Sequence, residues 1–276
     1  MVGFRSQRLR RMSGNVRGRL IIALVIAAFA VLSYFGSKEY NPITDETQYV
    51  GLTPQQEIAL GLQATPQMVE QHGGLDPDKR LQDYVDQIGA GLVQNSAAKE
   101  TSWQFDFHLL RDPRTINAFV LPGGQVFITK ALLERLRTDG QLAGVLAHEI
   151  GHVIARHSAQ RIAKQRLTEG LSGAVGVASG DYNAARMAAI VGQLVNMRYG
   201  RKDELESDRL GVRFMADAGY DPRAMVEVMK TLAEASSDGR APEFFSTHPN
   251  PENRIQKIQQ AIGERLPDGV PPGLKV

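Results

Sequence analysis

Leu142-Ala-Gly-Val-Leu-Ala-His148-Glu149-Ile-Gly-His152-Val-Ile-Ala155 reads as one helix. At about 100° per residue, Leu142, Leu146, Ile150 and Val153 fall on one face and form a core stripe. His148 and His152 fall together on another face, one turn and roughly 6 Å apart. Two imidazoles at that spacing can grip one metal ion. Glu149, at the edge of the pair, is placed to bind and deprotonate a water without itself ligating. The pattern alone does not separate a metal site from an ordinary amphipathic helix; a third ligand does.

Arg201-Lys-Asp-Glu204-Leu-Glu206-Ser-Asp208 opens a later helix. Glu204 and Asp208 lie at i and i+4 and share a face, while Glu206 is about 200° from Glu204 and points elsewhere. Acids at a helix start ordinarily complement the dipole. Here they also offer one carboxylate for a metal and, a turn later, another to hold a ligand imidazole by its second nitrogen. The remaining histidines are weaker candidates. On a regular helix His157 lies on the Leu142/Ile150 side, away from His148 and His152. His72 sits in a loop beside Gly73-Gly74, and His108 shares a strand face with Gln104 and Asp106. His248 stands in a Pro-flanked turn, Thr247-His248-Pro249. The metzincin extension needs Gly and His where this chain has Ala155 and Ser158, which excludes that class.

The chain of 276 residues, 42% hydrophobic, is long enough for one domain at residues 53–265 plus an appendage. With no cysteine there is no disulfide frame, thiolate metal site or Cys nucleophile. The net charge of +2 hides an asymmetry. Six arginines crowd residues 1–19, whereas the rest of the chain has more acids than bases. No basic stripe with interleaved aromatics appears in the main domain, so nucleic acid is not an expected partner. Leu20–Phe35 is an apolar run with one serine, and the arginines before it keep the N-terminus cytoplasmic and send the rest outward. Residues 20–36 are therefore a membrane anchor behind a basic cytoplasmic stretch. The alternative is a signal peptide cleaved after Ala28-Phe-Ala30, leaving a soluble periplasmic protein. Residues 37–52 read as a tether and 266–276, with three prolines, as a disordered tail.

Within the domain, Thr53-Pro54 starts a helix. A second runs from Asp76 or Pro77 to about Gln94 on a Leu81, Val85, Ile88, Leu92 stripe. Strands are expected at Trp103–Leu110, Asn117–Leu121 and Gln125–Thr129, the last two joined through Pro122-Gly123-Gly124. A helix at Lys130–Arg137 precedes the His148 helix. Gly170–Gly180, small and uncharged, reads as a flexible loop, a mobile cover or a bilayer-touching patch, with a helix at Tyr182–Val195 after it. Helices then run from Arg201, from Pro222 to about Ala235, and to about Glu264.

Four of these segments, in order, resemble one family: the HtpX-, BepA- and LoiP-like zinc metalloproteases, which include the integral-membrane CAAX prenyl protease and Oma-type proteases. They are Asn117-Ala-Phe-Val-Leu-Pro-Gly-Gly-Gln-Val-Phe-Ile-Thr129, Ala147-His-Glu-Ile-Gly-His152, Glu204-x-x-x-Asp208-x-x-Gly211 and Thr247-His-Pro-x-x-x-x-Arg254-Ile255. The resemblance covers residues 50–265. It implies an α+β, mostly helical, gluzincin-type domain with a small sheet beside the active-site helix. It implies one zinc ion on His148, His152 and Glu204, Glu149 as general base and Asp208 as support. His248 and Arg254 join Glu149 as catalytic residues.

The activity so implied is zinc-dependent cleavage of unfolded or misassembled proteins at the cell envelope, from an inner-membrane anchor with the catalytic domain in the periplasm. Glu149 takes a proton from water and passes it to the leaving amine. Gln125–Thr129 would pair with the substrate backbone as an added strand, with room left by Gly123 and Gly124; Asn117, Gly123, Gly124 and Gln125 are thus candidate substrate contacts. His248 is expected either to cap the metal at rest or to donate to the oxyanion, with the catalytic part dominant. The rival function is a membrane-tethered chaperone or assembly factor with a structural or capped zinc, against which the intact Glu149 argues.

Overall fold

The computed structural model describes residues 8–179, 199–237, 242–250 and 253–276. In chain order its elements are α1 (Arg8–Gly36), the strands β1 (Lys38–Asn41) and β2 (Glu46–Tyr49), α2 (Pro54–Gln71), α3 (Lys79–Gln94), the strands β3 (Asp106–Leu110), β4 (Ala118–Leu121) and β5 (Gln125–Thr129), and the helices α4 (Lys130–Leu133), α5 (Asp139–Ile154), α6 (His157–Ser179), α7 (Arg201–Asp217), α8 (Ala224–Ser237), α9 (Phe244–Thr247) and α10 (Arg254–Arg265). The chain divides into two units. One comprises Met1–Tyr40, Thr47–Gly51 and Gln160–Met197; the other comprises Asn41–Glu46, Leu52–Ala159 and Arg198–Val276.

In the first unit, Val16–Gly36 forms 21 helical residues of mean hydropathy 2.2, with most of its large apolar side chains exposed. That length is about 32 Å of helix, enough to cross a hydrocarbon core of ~30 Å. Tyr34 stacks on Tyr49 at 4.9 Å between ring centroids. The Gly170–Ser179 stretch, expected as a loop, is instead the second half of α6. It contains no proline or charge to end a helix, and Arg19 Nε donates to Val177 O at 3.1 Å. The helix expected at Tyr182–Val195 lies outside the described residues.

The second unit is mostly helical with a three-stranded sheet, as the resemblance implies. Thr53 and Gln56 form a reciprocal capping box at the start of α2, and Asp78 caps α3. In the sheet the order is β3-β5-β4, with β3 parallel and β4 antiparallel to β5. The stripe of α3 packs with the apolar faces of the sheet and of α5 in one core, around Val85, Leu92, Val126, Leu142, Leu146 and Ile150. From Gly140 to Ile154 every residue of α5 is buried, which puts its polar residues in the protein interior.

Two expectations are corrected here. β5 is the central strand, so both its edges are already paired and it cannot accept a substrate strand. β3 and β4 are the edge strands; Leu75, Asp76 and Gln82 bond along the outer edge of β3, so among the described residues the edge without a neighbouring strand is that of β4. Nor do Gly123 and Gly124 leave room for a ligand. Both have positive φ, and a Cβ on Gly123 would stand 2.4 Å from Ile58 Cα, so α2 fills the space. Gln125 is likewise buried and bonded to His108 Nε2 at 2.9 Å. The second correction concerns the C-terminal tail. Its prolines do not leave it loose: Asp221 N donates to Lys275 O at 2.8 Å and Lys275 N to Gly219 O at 2.9 Å.

Candidate metal centre

α5 begins where the Thr138 side chain accepts the Gln141 N–H, and it carries His148, Glu149 and His152 into the core. α7 crosses it at very short range. A Cβ on Gly151 would lie 2.7 Å from Ser207 Oγ, so only glycine permits this approach. Ser207 Oγ donates to His148 O at 2.7 Å and fixes the register of the two helices. One turn earlier on α7, Glu204 then faces the two imidazoles. His248, at the end of α9, completes the group.

His148, His152, Glu204 and His248 each offer one donor atom, all within 4.8 Å of one another and all buried. His148 Nε2 is 3.0 Å from His152 Nε2 and 3.4 Å from both His248 Nδ1 and Glu204 Oε2. Glu204 Oε1 is 3.2 Å from His248 Nδ1 and 3.5 Å from His152 Nε2. A tetrahedral zinc with bonds of about 2.0–2.1 Å has donor–donor edges of about 3.3–3.4 Å. The donor set and spacing therefore fit zinc. Glu149 lies beside the cluster with Oε1 at 3.6 Å from His248 Nε2, and neither of its carboxylate oxygens has a hydrogen-bond partner among the described residues.

Asp208, one turn beyond Glu204, sits 2.9 Å from His148 Nδ1, while Arg254 donates to both its oxygens at 2.8 Å. Arg254 Nη1 also lies 3.3 Å from Glu204 Oε2. Arg254 thus contacts both acids of α7. Burial would lower the His148 imidazole, but Asp208 and Glu204 outweigh it and lift it to about 9. Burial would raise Glu204, yet His248 and His148 hold it well below the usual carboxylate range. Burial raises Glu149, with His248 and His148 opposing. Burial and the neighbouring imidazoles of His148, His157 and His248 keep His152 neutral.

The structure brings together His148, His152, Glu204, Glu149, Asp208, His248 and Arg254. Asn117 is buried, and Thr247 Oγ1, from the residue before His248, donates to its side-chain oxygen at 3.4 Å. Three residues escaped the sequence-based expectations. His157 Nδ1 lies 2.8 Å from His152 Nδ1, Glu206 Oε2 lies 3.2 Å from His157 Nε2, and Tyr199 stacks on the His152 ring at 4.1 Å. Glu206 does point away from the donor cluster, as its position on α7 requires. What brings His157 to it is a break after Ile154, for which no glycine or proline gives a signal. His72 pairs with Asp112 and His108 with Gln125, both away from the cluster.

Because Asp208 and Glu204 hold a proton on His148 up to about pH 9, a metal that takes Nε2 must displace it. Zinc binding to the metal-free protein at pH 7 is therefore expected to release about one proton, and affinity to fall as pH falls. Calorimetry in buffers of different ionisation enthalpy checks this; equal heats in all buffers would contradict it.

Comparison with known proteins agrees with this geometry. Residues 79–262 match the profile of peptidase family M48. The chain is 31% identical over 255 residues to the mitochondrial metalloendopeptidase OMA1 of Schizosaccharomyces pombe, covering 90% of this chain and 73% of that protein. It is 31% identical over 271 residues to the β-barrel assembly-enhancing protease of Escherichia coli, covering 94% and 54%. It is 27% identical over 246 residues to OMA1 of Saccharomyces cerevisiae, covering 83% and 70%. The chain thus spans about half the length of the β-barrel assembly-enhancing proteases it matches. The matched span holds the whole donor cluster together with Glu149, Asp208 and Arg254, and on that ground the chain belongs to peptidase family M48, as a zinc metalloendopeptidase.

Proposed function

We propose that this chain cleaves unfolded or misassembled proteins at the cell envelope and rests in a closed, self-capped state. The observation that carries the proteolytic reading is Glu149. A fully buried carboxylate with no hydrogen-bond partner among the described residues, set beside four metal donors, has no use in a purely structural site. It supports a protease over a tethered chaperone with structural zinc. His148, His152 and Glu204 hold the metal, and zinc, when bound, supplies Lewis acidity toward a water and the scissile carbonyl. Glu149 accepts the water's proton and returns it to the leaving amine; its burial-raised affinity for the proton suits a group that must do both.

The open edge of β4 supports a place for substrate. Asn117 O accepts from Thr129 N, so by the alternation of an antiparallel ladder the peptide groups of Ala118 and Val120 face away from β5. An extended substrate can add there, with little dependence on its sequence. One bacterial relative is described as a β-barrel assembly-enhancing protease, which supports a role toward proteins in the course of assembly. The apolar Val16–Gly36 helix behind its arginines supports an inner-membrane anchor.

His248 is the point at which the geometry favours one sequence-derived alternative over the other. Its Nδ1 lies 3.4 Å from His148 Nε2 and 3.2 Å from Glu204 Oε1, so it could hold a bound metal as a fourth donor in place of a water, and its ring stacks on Phe244 at 4.5 Å. That supports a resting cap over a standing oxyanion donor.

Three outcomes are expected. Glu149→Gln should keep fold and zinc but lose at least about 10²-fold in cleavage of casein, since the amide cannot accept the proton. Wild-type turnover in that variant would refute the proteolytic mechanism. His248→Ala should raise basal cleavage, by up to roughly tenfold if the closed form holds about nine-tenths of the molecules; a fall in kcat at saturating zinc would instead establish the oxyanion role. The full chain should stay with the membrane pellet after carbonate extraction, whereas a mature N-terminus at Val31 would show that the anchor is removed.

A further inference from the structure

His152 has two ring nitrogens and both are committed. Nε2 faces the donor cluster, 3.0 Å from His148 Nε2. Nδ1 is buried against His157 Nδ1 at 2.8 Å, and His157 Nε2 in turn reaches Glu206 Oε2 at 3.2 Å. Two imidazole nitrogens at 2.8 Å share one proton. If Nε2 of His152 is to bind a metal it carries no proton, so the proton is on Nδ1 and is donated to His157. His157 Nδ1 is then a bare acceptor, its own proton sits on Nε2, and the acceptor for that proton is Glu206.

We infer that His157, oriented by Glu206, is a positioning residue for the zinc ligand His152, fixing its tautomer and its ring direction through one directed chain of hydrogen bonds. This rests on His152 being a zinc ligand. It parallels the role of Asp208 toward His148, with an imidazole in place of a direct carboxylate.

The fold makes a specific arrangement for this contact. α5 stops at Ile154, and Arg156 takes φ +55°, a left-handed conformation that L residues other than Asn and Asp seldom adopt. A helix continued without that break would carry His157 to the Leu142/Ile150 side. Arg156 is held in the turn by its own side chain: Nε and Nη2 donate to Glu57 Oε1 at 2.8 and 2.6 Å, and Nη2 also to Leu52 O at 2.7 Å. The break folds His157 back onto His152. Tyr199, stacked on the far face of the His152 ring with its hydroxyl 3.1 Å from Ser158 Oγ, keeps the ring plane from turning. Strained backbone, a buried ion pair and a stacked ring thus converge on one nitrogen of one ligand.

The test uses the full-length protein, stripped of metal, and measures zinc affinity by competition with a chromogenic chelator. His157→Phe keeps the ring and removes the acceptor; it should weaken zinc binding about 10–100-fold. His157→Gln offers an amide oxygen to the same N–H and should recover most of that loss. Glu206→Ala should weaken binding less than His157→Phe, and Glu206→Gln, which still accepts, should stay near wild type. The thermal midpoint of the metal-free protein should be the same for His157→Phe and His157→Gln, and the visible spectrum of the cobalt-substituted His157→Phe protein should change. Wild-type affinity in His157→Phe would overturn the inference, as would a His157→Gln no better than His157→Phe. His152→Ala serves as the control: if it binds zinc like wild type, the site assignment itself fails and the relay with it, whereas loss of zinc there with an unaffected His157→Phe overturns the relay alone.

Discussion

α5 and α7 meet at very short range at Gly151 and Ser207, and the metal centre depends on that approach. Two imidazoles come from one helix and a carboxylate from the other, and donor atoms must agree to a few tenths of an ångström for a metal to be held. Glycine at 151 lets the backbones meet, and the bond from Ser207 Oγ to His148 O sets the sliding position. A Cβ at 151 would come within 2.9 Å of Ser207 O, a backbone atom, so the helix itself would have to move and Glu204 with it. No adjustment of a flexible side chain could absorb that.

Drawing these groups into a dry interior carries an electrostatic penalty, which the surrounding charges offset. Glu204 and Asp208 are buried anions on one helix, facing Arg254 and the proton on His148. Removing one partner from such an arrangement typically destabilises by about 3–5 kcal/mol, because the remaining charge is left without compensation. Arg254 therefore does more than support Asp208. It is the first residue of α10, and its fork on Asp208 ties the C-terminal helix to α7. The segment carrying His248 lies between this tie and the bond from Phe244 N to Ile116 O.

The parts of the site legible in the sequence are those where a regular helix turns residue spacing into geometry. His148 with His152 and Glu204 with Asp208 are such pairs, and α5 and α7 are regular across them. Legibility ended where regularity did. His157 was placed on the wrong side because the wheel was carried through Ala155 and Arg156, and nothing in those residue types announces a left-handed turn. The ion pair that sustains it joins Arg156 to Glu57, almost a hundred positions away. The strands were found but their order was not, since alternation shows which residues share a face and says nothing about which strand lies in the middle. That is why Gln125–Thr129 was given the open edge that belongs to β4. The tail misled for a similar reason: its prolines prevent a helix but do not prevent Lys275 from pairing with the backbone around Tyr220.

The position of α9 joins the proposed cap to the proposed substrate edge. Along β4 the peptide groups of every second residue, Ala118 and Val120, face outward, and one step earlier in the same alternation is Ile116. Its carbonyl already accepts the N–H of Phe244, and Thr247 reaches Asn117 next to it. The short helix that presents His248 to the donor cluster is thus bonded to the start of the edge where an extended substrate would add. A peptide pairing along the whole edge would compete with Phe244 for Ile116 O and with the α9 backbone for space. Loosening α9 would withdraw His248 from the donor cluster. In the closed arrangement proposed here, occupancy of the edge and removal of the cap are therefore the same motion, driven by the hydrogen bonds a substrate strand makes. Under that proposal a folded protein, with its strand edges already paired, would have no free backbone to offer β4 and would leave the cap in place.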